Sequence, residues 1–177
     1  MRLIICPGIH PPHLTASFLR ALPDIPPYWI FPADRPVYSG YHILTWLLQQ
    51  DRPFSQSTCW IGFSAGVVGA ITAALAFSAL GGQVQALIAI DGWGVPLLAP
   101  FPIHRLSHDR FTHWSSALLG AGESQFFADP AVAHLELWAN PQHVRGWRTQ
   151  ADQTCTLLHH TPTTAACFLN ELLRTNS

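Results

Sequence analysis

Apolar residues along the chain fall into short unbroken runs that alternate with stretches where they recur every three or four positions. "RLIIC" at the N-terminus is such a run, closed by Pro7-Gly8, and fits a strand buried on both faces, as parallel strands are. Leu14, Phe18, Leu19 and Leu22 then follow helical spacing, and Pro23 ends the helix. A second unit repeats this order: "YWIF" is β-favouring, "PADRPVYSG" reads as loop, and Ile43, Leu44, Leu47 and Leu48 share a helical face. The third unit is "STCWIGF" followed by a helix from Ala65 to about Leu80, apolar on every side and therefore expected between the sheet and other elements. Gly81-Gly82 stops that helix, and "VQALIAID" is a fourth strand ending near Asp91.

From Gly94 to about Asn140 neither period holds. Residues 94–140 are expected to form a long excursion or lid, with one helix around "DRFTHWSSALL". "LELWA", "VRGWRT" and "TCTLLHH" are possible strands, of which one joins the sheet. The chain closes with a helix capped by Thr161, with Pro162 in its first turn and Ala165, Phe168, Leu169, Leu172 and Leu173 on its buried face. Strands alternating with helices predict an α/β domain, a compact three-layer sandwich around a mainly parallel sheet of about five strands joined by right-handed crossovers. With 177 residues, 49% of them hydrophobic, the chain suits one domain.

Charge narrows the partners. The chain has nine Arg and no Lys, and its net charge of -1 leaves no basic stripe for a nucleic acid. Val67–Leu80, the longest apolar stretch, falls short of the roughly 18 to 20 residues that span a bilayer, so no membrane is expected. "MRLIICPG" offers too few apolar residues for a secretory signal, which places the protein in the cytoplasm as an expectation. Cys6, Cys59, Cys155 and Cys167 lack the paired spacing of zinc or redox motifs and read as buried free thiols.

Candidate chemistry centres on "GFSAG", which lies between a predicted strand and a predicted helix. That is the placement of a nucleophile elbow, where Gly62 and Gly66 relieve crowding around a strained turn and Ser64 is pushed clear of the sheet. With "CPGIH" after the first strand and the strand-helix order through residue 91, the chain resembles the α/β-hydrolase superfamily, as a short, truncated member. The resemblance implies an α/β-hydrolase-like fold, an oxyanion hole from the Ile9 and Ala65 amides, and triad partners in the order Ser, acid, His. Asp91 is the nearest acid, with Asp109 as the alternative. The base is open among His108, His113, His159 and His160: His160 ends a strand-like run before the last helix, while His108 sits in the loop leaving Asp91 and is preferred.

The implied activity is a serine hydrolase acting on a carboxylic ester or thioester through an acyl-enzyme on Ser64, without a cofactor. Its only implied partner is a small-molecule acyl substrate; the residues leave oligomeric state open. Trp93, Phe101, Phe111, Trp114, Phe126 and Phe127 are candidates to line an acyl pocket. A perhydrolase or C–C bond hydrolase would look the same, and a binding or scaffold protein that keeps the fold without a working triad is the alternative from another class. His10, His13, Asp91, His104 and His108 share one predicted edge, but no HExxH helix accompanies them and no metal is expected.

Overall fold

The computed structural model describes residues 1–120, 122–151 and 158–175. They form one eight-stranded mixed sheet with six helices. The N-terminal half follows the predicted alternation: β1 (Arg2–Cys6), α1 (Pro12–Arg20), β2 (Tyr28–Ile30), α2 (Gly40–Leu48), β3 (Thr58–Phe63), α3 (Ala65–Ala79) and β4 (Val84–Ile90). The second half adds β5 (Ile103–Ser107), α4 (Arg110–Ala117), β6 (Ser124–Ala128), α5 (His134–Ala139), β7 (Arg145–Ala151), β8 (Leu158–Thr164) and α6 (Ala165–Thr175). The strand order is β2-β1-β3-β4-β5-β6-β7-β8. Strands β1 to β6 run parallel, and β7 and β8 extend the sheet antiparallel.

The sheet is thus larger than the mainly parallel sheet of about five strands expected, and its last two strands are antiparallel. Residues 94–140 contain two of its parallel strands and two helices, so most of the expected excursion is framework. Polar residues conceal β5: His104, Arg105 and Ser107 are all buried, and a long side chain such as Arg105 needs a distant partner, which it finds where its Nε–H donates to the Gly120 carbonyl. β6 is hidden similarly, since "SQFFA" has only three apolar residues. "LELWA" lies in α5 and not in a strand, burying Leu137 and Trp138. "VRGWRT" contributes β7, and the strand expected at "TCTLLHH" is described only from Leu158 onward. β8 runs through Pro162 to Thr164, so Thr164, not Thr161, caps the last helix, its Oγ1 accepting from the Cys167 N–H at 3.2 Å.

Two apolar clusters cover the two faces of the sheet. On one, Phe18 of α1 and Leu22 just after it, Leu137 and Trp138 of α5, and Phe168, Leu169 and Leu172 of α6 pack on Leu3, Ile5, Ile61, Ile88 and Phe126. On the other, Ile43 and Leu47 of α2 and Val67, Ala70 and Phe77 of α3 pack on Ile4, Trp60, Leu87 and Ile103. The all-round apolar surface of α3 is used on both sides, by the sheet and by α2. No helix among the described residues is long and apolar enough to cross a membrane. Cys6 and Cys59 are buried free thiols and Cys167 an exposed one; Cys155 lies outside the described residues.

Candidate active site

β3 ends at Phe63 and α3 begins at Ala65, so Ser64 alone makes the turn between them. Its φ of 52° and ψ of −124° lie in a region that side chains rarely enter. The turn is held by the Ser64 N–H donating to Ile90 O at 2.9 Å and by Ser64 O accepting from the Val67 N–H at 3.0 Å. Gly66 makes it possible, because a Cβ there would collide with the Cys6 and Pro7 carbonyl oxygens. At Gly8 a Cβ would stand 3.1 Å from Ser64 Cβ, so the loop after β1 runs directly beside the serine. Ile9 follows in that loop, and neither its amide nor that of Ala65 donates a hydrogen bond among the described residues.

Asp91 follows β4 as Ser64 follows β3, also at positive φ (51°), a conformation Asp tolerates better than most residues. Its N–H donates to Leu106 O at 2.8 Å, and it is only 6% exposed. The Oδ1 atom accepts the His108 backbone N–H at 2.9 Å. The Oδ2 atom meets two imidazoles, with His108 Nδ1 at 2.9 Å and His134 Nδ1 at 2.8 Å. Burial by itself would raise the Asp91 pKa, but the hydrogen bonds from His108 and His134 outweigh it and hold the carboxyl below its ordinary range. The same bond to Asp91 raises the pKa of His108 against its own burial, helped by the charges of Asp91 and Asp109.

His134 comes from beyond β6. It opens α5 after the loop that leaves β6, and that loop is tied down by the Val132 N–H donating to His108 O at 3.0 Å. Its ring stacks on Phe63 at 4.7 Å, the residue before Ser64, and Phe63 stacks in turn on Trp138 at 4.9 Å. With Nδ1 occupied by Asp91, its Nε2 has no described partner. His108 differs, because its Nε2 lies 3.2 Å from Asp109 Oδ2, so both of its ring nitrogens face carboxylates.

These residues share a cleft of about 380 Å³, lined by Ser64, Ala65, Val68, Asp91, Trp93, Val95, His108, Phe111, Thr112 and His134. Of the aromatic residues proposed to line a pocket, Trp93 and Phe111 do so, mostly exposed at 65% and 66%. Phe101, Phe126 and Phe127 are buried in the interior, and Trp114 is exposed outside the lining. Trp93 is tethered by its Nε1–H donating to Ser115 Oγ of α4 at 3.1 Å.

The other candidates lie elsewhere. His160 is exposed on β8 with its ring edge toward Phe127, and His113 packs on the same Phe127 at 5.0 Å; neither lines the cleft. Burial, then the positive charges nearby, push the His113 pKa down to about 4. The side chain of His159 lies outside the described residues. Asp109 caps α4, its Oδ1 accepting from the Thr112 N–H at 2.6 Å. Of the residues weighed as metal ligands, Asp91 and His108 come together, but the third member of the cluster is His134, not His10, His13 or His104.

His134 is the functional candidate that sequence reasoning passed over. Its signal was present, as the first His after the last parallel strand in the order Ser, acid, His. Without β6 recognised, the neighbouring "LELWA" reads as a strand and His134 as a loop residue before it. No protein-family model matches the chain, and no curated protein matches it.

Proposed function

We propose that the protein is a serine hydrolase of α/β-hydrolase type that cleaves a carboxylic ester or thioester through an acyl-enzyme on Ser64. One observation carries this reading: a serine strained at a strand-to-helix turn shares a cleft with a buried Asp91 that orients two imidazoles. His134 is the base, because Asp91 holds its Nδ1–H and so leaves the Nε2 lone pair for the serine proton, whereas the Nε2 of His108 lies against the Asp109 carboxylate at 3.2 Å.

Ser64 Oγ attacks the carbonyl carbon while His134 Nε2 takes its proton. The carbonyl electron pair moves onto oxygen, and the Ile9 and Ala65 amides, both uncommitted, donate to the resulting oxyanion. Collapse breaks the bond to the leaving group, which takes the proton back from His134. Water then repeats the sequence on the acyl-enzyme and releases the acid. Ser64 Oγ makes no hydrogen bond among the described residues, so substrate must tighten the pair to about 2.6–3.2 Å.

A fluorophosphonate probe tests this directly. The wild type is expected to be labelled at Ser64 and Ser64→Ala to stay unlabelled. A silent wild type would instead favour the scaffold reading, in which the fold is kept without a reactive serine.

A further inference from the structure

The arrangement around His108 sets a problem of proton accounting. Its Nδ1 is 2.9 Å from Asp91 Oδ2 and its Nε2 is 3.2 Å from Asp109 Oδ2. A neutral imidazole has one N–H; given to Asp91, it leaves an Nε2 lone pair beside the negative charge of Asp109. A cation between His108 Nδ1 and Asp91 removes that conflict. A second proton is one such cation. The neighbours favour a larger one, because His134 Nδ1 converges on the same oxygen at 2.8 Å and all three ligand atoms lie within 4.8 Å of one another.

We infer that His108 Nδ1, His134 Nδ1 and Asp91 Oδ2 form a binding site for a divalent transition cation of the zinc class, and that the bound ion switches off Ser64. Two imidazole nitrogens and one carboxylate oxygen are a donor set that zinc accepts, and the open cleft leaves its fourth position to water. Asp109 completes the site from outside. Its carboxylate lies 3.2 Å from His108 Nε2, where its negative charge favours a proton on that nitrogen and so the tautomer that presents Nδ1 to the ion.

The switching half rests on the serine hydrolase reading. An ion on His134 Nδ1 confines the remaining ring proton to Nε2. That nitrogen then has no lone pair with which to take the Ser64 proton. Metal and catalysis thus compete for one imidazole, and Asp91 serves whichever holds it.

The test separates the two halves. Ser64→Ala protein, freed of metal with a chelator, is titrated with zinc chloride by calorimetry. One site is expected, weakened about 100-fold or more in His108→Ala and in His134→Ala, and by a smaller factor in Asp109→Asn. Asn caps a helix as well as Asp does, so the Asp109→Asn variant keeps α4 and changes only the outer carboxylate. His160→Ala and Cys167→Ser serve as controls and should bind like the parent. Absence of a site, or a site unchanged in the His108 and His134 variants, overturns the proposal. In wild-type protein, zinc should slow fluorophosphonate labelling and a chelator restore it; labelling indifferent to bound zinc overturns the switch. Binding with no labelling under any condition leaves the metal site standing and removes the hydrolase reading instead.

Discussion

Replacing Ser64 by glycine should stabilise the protein relative to replacing it by alanine, reversing the usual order. Ordinarily glycine costs about 0.5–1 kcal/mol against alanine, because the unfolded chain gains freedom. At position 64 the φ of 52° and ψ of −124° impose strain on any residue with a Cβ, of about 1–3 kcal/mol. Glycine sheds that strain and alanine keeps it. Both variants lose Oγ, which has no hydrogen bond among the described residues, so its removal cancels in the comparison. The net expectation is that Ser64→Gly is more stable than Ser64→Ala by about 0.5–2 kcal/mol, or a few degrees in Tm for a chain of this length. Urea denaturation followed by far-ultraviolet circular dichroism measures the difference, with Ala76→Gly inside α3 as the conventional control. The control should lose stability. If Ser64→Gly falls below Ser64→Ala by a similar amount, the turn stores no strain and the elbow interpretation fails at its root.

Three further expectations concern the site and its frame. His134→Ala should slow fluorophosphonate labelling by about 10²–10⁴-fold, while His160→Ala and His113→Ala stay within about twofold of wild type; a slow His160 variant would move the base to β8. Gly66→Ala should abolish labelling and destabilise the fold by at least about 2 kcal/mol, since its Cβ meets backbone oxygens that cannot yield; ordinary labelling would show that α3 does not lie against β1. His104 should make the fold acid-sensitive. It is 5% exposed with neither ring nitrogen hydrogen-bonded, and burial, reinforced by the charge of Arg148, lowers its pKa from 6.5 to about 4. Between those values the unfolded chain takes up a proton that the fold refuses, so stability falls as pH drops through the window and levels off below it. The loss from this group is about 2 kcal/mol near pH 5, and His104→Phe should remove that part of the pH dependence in urea titrations.

The elbow was legible in the sequence because everything that makes it is local. A run of buried residues, one serine between glycines and an apolar helix are adjacent in the chain, and Gly66 is needed for a contact with β1, the strand that pairs beside β3. The same locality made β1, β3 and β4 readable, since each is an unbroken apolar run buried by parallel neighbours. Locality failed at β5, where His104 and Arg105 interrupt the pattern. Their burial depends on surroundings that no nearby residue announces, as when Arg105 reaches Gly120 15 residues away. With β5 and β6 unseen, the sheet stopped short and residues after Gly94 looked like excursion.

The proposed partners of Ser64 show the limit most clearly. Sequence narrowed the acid to Asp91 or Asp109 and preferred His108 as the base. Only the tertiary structure decided that one buried carboxylate oxygen faces two imidazoles, of which His134 comes from 43 residues further along the chain. A hydrogen bond across that separation is set by how α5 docks after β6, through the stacking of His134 on Phe63 and the tether of Val132 to His108. Local patterning determines where a reactive group can be presented. Which side chains reach it depends on packing between elements distant in the chain, and single-residue chemistry carries no record of that distance.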